Sequence, residues 1–421
     1  MQEMQLAYGS TTINLAFPED RFEVLTANVS PRPPLTDLEI GQAFDSPIES
    51  APLEELLSPG DTVLIVVSDA TRATASAQLV NLLVRRIIQQ GISPTDITII
   101  FATGIHRPTT AAEKQELLTP FIAQRIKVTD HDAFDKNQLV LLGKTERGTP
   151  VEVNRRLTDS THVILTGGIG FHYFAGFTGG RKSICPGLAS ARTIEATHLL
   201  ALDFERGGRR AGVGTGLLDG NAVHEECERV AALIAPVFSL NAIVDERGRA
   251  TEVYAGHWRA AHRQACDQYL QAHSTSPAER RDFVVASCGG YPYDLNLIQA
   301  HKTLDMAARA CKDGGTIVLL AECRDGLGRP DFLKWFAAES AAALEDRLRE
   351  SYEVNGQTAW SLLIKAERFH LVLVSQLPDE DVRRMRMTPL RSLADALSQL
   401  DPRARGFILP RGAALLPILS N

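Results

Sequence analysis

Three short segments of the chain concentrate side chains that can move protons, attack as nucleophiles or bind ligands. They are SDATRATAS at 68–76 (Asp69, Thr71, Arg72), ATGIHRPTT at 102–110 (His106, Arg107) and GGIGFHYFAGFTGGRKSICPG at 167–187 (His172, Arg181, Lys182, Cys185). Histidine titrates near neutral pH, a desolvated lysine can be a nucleophile, and arginine binds carboxylates. One such segment alone is more often structural, but three together favour a shared active site.

The third segment combines glycines with interleaved aromatic residues. Glycines such as Gly179 and Gly180 let backbone amides approach an anion, whereas a simple linker would not be aromatic. The run GFTGGRKS is similar to the phosphate loop G-x-x-x-x-G-K-[ST], but Arg181 replaces the second glycine and no strand-borne aspartate completes the set. We therefore reject an ATPase, while Lys182 remains a candidate nucleophilic or Schiff-base lysine.

A helix predicted after this segment, SARTIEATHLLAL, carries His198. A neutral imidazole there could bind a metal. No HExxH motif, no 2-His-1-carboxylate spacing and no cysteine set accompanies it. Any metal would therefore need further ligands from a cofactor.

In the second half of the chain, GGYPYDLNLIQAHKTLD at 289–305 places Gln299 and Lys302 three residues apart on one predicted helix face. A cation and an amide on adjacent turns would suit the carboxylate and hydroxyl of a small substrate that enters between two domains. A solvated helix face explains the same pattern equally well.

The elements that must position these residues alternate between strand and helix. Strands are predicted at 61–69, 96–104 and 162–168, and a helix is predicted at 76–90. Each reactive segment follows one of these strands. Because open α/β sheets bind ligands at the carboxyl ends of their strands, we expect the three segments to lie at one sheet edge.

The length and the order of elements predict two domains. A chain of 421 residues exceeds what one core usually serves, and the polar stretch 273–282 is a candidate linker. We predict an α/β protein with domains at 1–274, beginning with a hairpin, and at 275–404. Each would contain an open, mostly parallel sheet flanked by helices, with the active site in the cleft between them. Residues 405–421 could return to the first domain.

Composition excludes several classes of partner. The net charge of −7 offers no general attraction to nucleic acid or anionic lipid. The N-terminus lacks the pattern of a signal peptide, and no stretch approaches the ~20 apolar residues of a spanning helix. The six cysteines form no CxxC pair, which is typical of reduced thiols. We expect a soluble cytoplasmic enzyme without nucleic-acid or membrane partners.

Taken together, SDATR, ATGIHR, HDAFD (131–135), FHYFAGFTGGRKSICPG, TIEATH and IQAHK resemble the lactate racemase family, which uses a nickel-pincer nucleotide. The motifs span 68–302 in the family's order. The resemblance implies pyridinium-3-thioamide-5-thiocarboxylic acid mononucleotide as the cofactor, whose ring carbon and two sulfur arms bind nickel. It also implies that Lys182 carries this cofactor as a thioamide and that His198 is the protein ligand to nickel.

The resemblance assigns roles to the other candidates as well. It implies that His106 and His172 are general acid/base residues on opposite faces of the substrate. The remaining roles are substrate binding (Arg72 and Lys302 for the carboxylate, Gln299 for the hydroxyl or keto oxygen) and cofactor binding (Asp69, which would also position Arg72, with Thr71, Gly179 and Gly180). One departure is Ala75, where the family often has proline.

The implied reaction is inversion at C2 of a 2-hydroxy acid by reversible hydride transfer, with cofactor-building enzymes as partners. Lactate, malate, phenyllactate and a sugar acid such as gluconate all remain open as substrates. Two alternatives are a hydro-lyase on the same scaffold and a non-catalytic protein that stores or delivers the cofactor. The second would not need both His106 and His172.

Overall fold

The computed structural model describes residues 1–28 and 32–419. In chain order the strands are β1 Gln2–Tyr8, β2 Thr11–Phe17, β3 Phe22–Val24, β4 Val63–Ser68, β5 Ile97–Ala102, β6 Lys127–Asp130, β7 Leu139–Lys144, β8 Pro150–Asn154, β9 His162–Gly168, β10 Phe171–His172, β11 Gly176–Phe177, β12 Phe238–Val244, β13 Ala250–Gly256, β14 Ser274–Thr275, β15 Arg281–Ser287, β16 Cys311–Leu320, β17 His370–Val374, β18 Thr388–Leu390, β19 Gly406–Leu409 and β20 Leu416–Pro417.

The helices connect these strands in the alternating pattern of an α/β protein. They are α1 Asp37–Asp45, α2 Leu53–Leu56, α3 Ser76–Gln89, α4 Ala111–Leu117, α5 Pro120–Arg125, α6 Arg156–Asp159, α7 Ala191–Leu199, α8 Ala222–Ile234, α9 Trp258–His273, α10 Leu297–Ala310, α11 Ala341–Glu350, α12 Val354–Arg368, α13 Asp379–Arg384 and α14 Leu393–Ser398. Short 3-10 helices lie at Pro94–Asp96, Lys136–Gln138, Gly180–Ser183, Phe332–Ala337 and Gly412–Ala414. Within the described residues, no helix is long and apolar enough to cross a membrane.

The chain forms two compact units, each built on a six-stranded sheet. The central unit comprises residues 32–201 and 209–269. The terminal unit comprises residues 1–28, 202–208 and 270–419 and therefore includes both ends of the described chain. The prediction of an α/β protein with two mostly parallel sheets is confirmed.

The sheet of the central unit has the order β13-β12-β9-β4-β5-β6. All neighbours are parallel except the edge pair β12 and β13. Helix α3 covers one face of this sheet, because its apolar residues repeat at helical spacing and are buried. Helix α3 begins after Ala75, whose φ is 51°. Proline cannot adopt this φ, so the departure from the family at this position coincides with a left-handed backbone.

The terminal unit contains the order β18-β17-β16-β15-β19-β3, in which every pair is parallel. Alternate residues of its central strands enter two different cores. On β15, Val284 and Ala286 pack in the core shared with helix α10, whereas Phe283 and Val285 pack in the core shared with the first hairpin. Strands covered on both faces are apolar throughout for this reason.

Both ends of the chain lie elsewhere than predicted. The hairpin of β1 and β2 forms as expected, but Leu6, Leu15 and Phe17 are buried in a core of the terminal unit. Strand β3 pairs with β19, and β19 pairs with β15 in the second sheet. The predictions that the first residues and 405–421 belong with the first domain are therefore corrected for residues 1–28 and 405–419, while residues 420–421 lie outside the described residues. Strands β19 and β3 extend the sheet beside β15, whereas β1 pairs with β2 and β20 pairs with β14.

Candidate functional site

The three reactive segments follow three strands that are neighbours in the central sheet. Strands β9, β4 and β5 are adjacent and parallel, and their registers join Val66 to Leu165 and Ser68 to Ala102. The loops that begin at Asp69, Thr103 and Ile169 therefore leave the sheet at the same edge. The prediction that these segments share an edge is confirmed, and the edge is the carboxyl end, where open α/β sheets bind ligands.

Asp69, which is buried, and His106, which is exposed, form a carboxylate–imidazole pair. Asp69 Oδ2 lies 2.7 Å from His106 Nδ1, and Asp69 Oδ1 accepts hydrogen bonds from the Thr71 amide at 3.1 Å and the Thr71 hydroxyl at 2.6 Å. Burial by itself would raise the pKa of Asp69, but His106, Arg72 and Thr71 outweigh it and lower that pKa to about 2. The carboxylate is ionised, so His106 Nδ1 donates to it and the basic nitrogen of a neutral His106 ring is Nε2.

His172 is held in a different way, by a short hairpin whose two strands are two residues long. Strands β10 and β11 pair His172 with Gly176, and the His172 ring packs on Tyr173 and Phe174 at centroid distances of 5.4 and 4.5 Å. His172 Nδ1 accepts a hydrogen bond from the Ala175 amide at 3.2 Å. A ring nitrogen that accepts carries no proton, so a neutral His172 has its proton on Nε2. The two histidines therefore start from opposite tautomers.

Lys182 lies in the 3-10 helix Gly180–Ser183, one residue after the buried Arg181. Its Nζ is 5.8 Å from the centroid of the Phe174 ring. The pKa of Lys182 is lowered to about 7, chiefly by burial and also by the charges of Arg181 and Arg72, against the opposing effect of nearby thiols. A large part of this amine is therefore uncharged and nucleophilic at neutral pH.

His198 approaches the same aromatic ring from helix α7. Its ring centroid is 4.9 Å from that of Phe174 in an edge-on arrangement, and its Nδ1 is 3.2 Å from the Thr197 hydroxyl. The pKa of His198 is lowered to about 3, chiefly by burial and also by the charge of Lys182, although a hydrogen bond to the Ile194 carbonyl opposes the shift. A neutral ring that donates one N–H to a backbone carbonyl is the usual state of a metal-binding histidine.

Lys182 and His198 fit the cofactor that the sequence resemblance implies. An uncharged amine can be acylated, and an uncharged imidazole can bind a metal. In residues 1–28 and 32–419, no three His, Cys, Asp or Glu side chains lie close enough together to hold a metal ion.

Gly179 and Gly180 have clear structural reasons to be glycine. Their φ angles are 77° and 51°, a region that side chains rarely allow. A Cβ atom on Gly180 would lie 2.5 Å from the His262 ring, and the Gly180 amide donates to Asn241 Oδ1 at 3.0 Å. The tight turn before Lys182 depends on these two residues, and their cofactor contacts stay a prediction.

Gln299 and Lys302 lie on helix α10 of the terminal unit, as the sequence predicts. Gln299 is buried, and Lys302 Nζ donates to Gln299 Oε1 at 2.5 Å. Asn296 begins this helix and accepts a hydrogen bond from the Gln299 amide. The amide and the cation therefore act as one hydrogen-bonded pair, and their roles toward a substrate stay a prediction.

Two features of the site are absent from the sequence-based expectations. The first is the pairing of Asp69 with His106, since Asp69 is predicted to position Arg72; the adjacency of β4 and β5 is the signal that could have suggested it. The second is the buried position of Arg181, which the sequence presents as a candidate ligand-binding side chain and as a mismatch to the phosphate loop. Phe174, the ring shared by Lys182, His198 and His172, is noted only as one of several aromatic residues.

Comparison with known families covers most of the chain. Residues 8–208 match the family described as lactate racemase N-terminal domain, and residues 276–406 match lactate racemase C-terminal domain. The chain belongs to the lactate racemase family.

Individual relatives and a solved structure agree with this membership. The chain is 29% identical to a lactate racemase of Thermoanaerobacterium thermosaccharolyticum over 94% of both chains. It is 29% identical to a lactate racemase of Lactiplantibacillus plantarum over 99% of this chain and 100% of that one. The lactate racemase apoprotein structure from T. thermosaccharolyticum covers all of both chains at 27% identity with a TM-score of 0.88. Family members of this similarity support a racemase function, which is an isomerase activity.

A second solved structure is similar to this chain in fold. A protein from Thermotoga maritima matches 94% of this chain and all of its own length with a TM-score of 0.72 and 19% identity. At this identity the likeness concerns the fold alone. The two-unit α/β architecture is thus shared beyond the lactate racemases named above.

Proposed function

We propose that this lactate racemase family member inverts C2 of a 2-hydroxy acid and uses a nickel-pincer nucleotide attached to Lys182. The observation that carries the proposal is the arrangement around Phe174. Its ring lies 5.8 Å from Lys182 Nζ and 4.9 Å and 4.5 Å from the ring centroids of His198 and His172. Burial holds the pKa of Lys182 near 7 and that of His198 near 3, so both groups are available uncharged at neutral pH.

Each cofactor-binding residue has a distinct proposed role. Lys182 would hold the cofactor through its Nζ as a thioamide, formed with a thiocarboxylic acid group and loss of water. His198 would be the protein ligand to nickel. Further contacts to the nucleotide are proposed for Asp69, Thr71, Gly179 and Gly180. The chemistry that the bound cofactor supplies is reversible acceptance of hydride from C2 of the substrate.

His106 and His172 move the hydroxyl proton. Two bases are needed because the two enantiomers present their hydroxyl groups on different sides. His106 Nε2 can accept a proton at once, and the Asp69 carboxylate stabilises the cation that results. His172 Nε2 already carries a proton and can donate a hydrogen bond to a substrate oxygen. For His172 Nε2 to act as a base, its proton must move to Nδ1 and the hydrogen bond from the Ala175 amide must open.

The substrate carboxylate requires cations, because the chain as a whole carries a net charge of −7. We propose Arg72, in the loop after β4, and Lys302, on α10, as these cations, and Gln299 as the partner of the substrate hydroxyl or keto oxygen. Lys302 already donates to Gln299, so one substrate carboxylate and one hydroxyl match this pair.

Replacing either cation should weaken substrate binding more than turnover. A hydrogen bond to a charged group contributes about 1.5–3 kcal/mol, so Arg72→Met and Lys302→Met should each raise KM by about 10- to 100-fold in racemisation assays. Arg249→Met is a matched control, because Arg249 pairs with Asp245 on the surface. An unchanged KM in both variants would contradict the assignment.

The direct test of the function is a panel of chiral 2-hydroxy acids, namely lactate, malate, phenyllactate and gluconate, incubated with protein produced together with the cofactor-building enzymes. Chiral chromatography should show inversion of one of them. In deuterated water, NMR should show retention of the C2 hydrogen, because hydride does not exchange with solvent. A new unsaturated or keto product would indicate a hydro-lyase. Loaded protein without any turnover would favour a cofactor-carrying role.

We also propose that the protein works in the cytoplasm. All six cysteines are free thiols, which suits a reducing compartment such as the cytoplasm. The proposed partners are the small 2-hydroxy acid and the enzymes that build the cofactor. Loading of Lys182 when these enzymes are produced together with the chain is the observation that supports such a partnership.

A further inference from the structure

Arg181 is a buried cation whose hydrogen bonds all go to uncharged groups. Its side chain is 1% exposed, and it forms no salt bridge within the described part of the chain. Fully buried arginines are normally paired with a carboxylate, because an uncompensated charge is costly to desolvate. The lost hydration of this guanidinium is therefore not compensated by an ion pair.

The guanidinium group of Arg181 donates hydrogen bonds to several backbone carbonyls of the preceding loop. Its Nη2 donates to the Ala175 carbonyl at 2.7 Å, and its Nη1 donates to the carbonyls of Phe177 at 3.1 Å and Gly179 at 3.4 Å. Nη1 also lies 3.0 Å from His262 Nε2, and the same nitrogen lies 3.0 Å from the Thr178 carbonyl of this loop. Burial and then the Arg181 charge lower the pKa of His262 to about 3, in keeping with a neutral ring.

The three carbonyls lie inside the segment 171–182, which we call the aromatic loop. His172 and Phe174 precede them and Lys182 follows them, so the hydrogen bonds of Arg181 close the loop between these residues. We propose that Arg181 is a positioning residue that fixes the aromatic loop and, by its charge, keeps the Lys182 amine ready to react. The significance of that amine rests on the proposed function, but its state can be measured without the cofactor.

The charge of Arg181 acts on the same amine that the loop positions. Burial is the main reason that the pKa of Lys182 is about 7, and the positive charge of Arg181 adds to it because arginine stays protonated. The other groups that influence Lys182 are Arg72 from the loop after β4, which lowers its pKa, and the thiols Cys185 and Cys227, which raise it. His198 from α7 is held neutral and adds no charge.

The test measures the reactivity of Lys182 in the full-length chain produced without cofactor-building enzymes. The protein is acetylated with dilute acetic anhydride at a series of pH values, and labelling of Lys182 is quantified by peptide mass spectrometry. Lys127, exposed on β6, is the internal reference. Arg181→Gln removes the charge and keeps two donors, whereas Arg181→Lys keeps the charge and loses the planar array of donors. Hydrogen exchange of peptides from 171–182 reports on the loop, and circular dichroism reports on folding.

In the wild-type chain we expect half-maximal labelling of Lys182 near pH 7. Arg181→Gln should move this midpoint upward by more than one pH unit. Arg181→Lys should keep the midpoint closer to the wild type, and both variants should exchange amides in the aromatic loop at least tenfold faster. A folded Arg181→Gln variant with an unchanged midpoint and unchanged exchange would overturn the proposal. Loss of folding in both variants would assign Arg181 to global stability and would equally overturn it. Failure of cofactor attachment in a separate experiment would leave these results intact and would count against the proposed function alone.

Discussion

Lys182→Ala is expected to abolish covalent attachment of the cofactor and, with it, all racemase activity. The side-chain amine is the only group of this residue that can form the thioamide, and alanine offers no nucleophile. Intact-mass spectrometry should show the wild-type chain with an added mass after production with the cofactor-building enzymes, and the variant without it. Lys127→Ala, which changes an exposed lysine on β6, should carry the full added mass.

A companion variant distinguishes the tether from the metal ligand. His198→Ala removes the imidazole beside Phe174 but leaves the Lys182 amine, so it should retain the added mass and lose nickel, as measured by elemental analysis. If Lys182→Ala still gained the mass, the attachment site would be another residue. If His198→Ala bound nickel as well as the wild type, the metal would have a different protein ligand.

Much of the architecture around these residues could be predicted because it depends on local patterns. Strand β9 occupies the predicted residues 162–168, and helix α3 ends one residue before the predicted end at 90. Continuous apolar runs and helical spacing are short-range signals. The rule that ligands lie at the carboxyl ends of parallel strands then places three distant segments at one edge, which the order β9-β4-β5 confirms.

The contacts that decide side-chain chemistry could not be predicted in the same way, because they are long-range. Asp69 and His106 meet at 2.7 Å only because β4 and β5 are adjacent. Arg181 finds its partners within six residues and on α9, but nothing in the local pattern shows that its side chain turns inward. Strands β3 and β19 are three and four residues long, too short for a pattern to reveal which sheet they join.

His106→Gln and His172→Gln should each lower racemisation by about 10²–10⁴-fold, the usual contribution of a general acid/base residue. Both variants should keep the added mass on Lys182 and the bound nickel, since neither histidine is proposed to hold the cofactor. Asp69→Asn should also slow the reaction, because the cation formed on His106 would lose its ionised partner. Nitrogen-15 NMR of the histidine rings should show a proton on Nδ1 of His106 and on Nε2 of His172.

His162→Gln is a matched control for these variants. His162 Nε2 also pairs with an aspartate, Asp61, at 2.9 Å, but His162 begins strand β9 and so lies at the amino end of the sheet, opposite the edge that carries Asp69 and His106. This variant should racemise the substrate at the wild-type rate. If His106→Gln or His172→Gln lost the added mass, that histidine would serve cofactor loading instead. If both racemised at the wild-type rate, proton transfer would depend on other groups, and the opposite tautomers of the two rings would have no catalytic meaning.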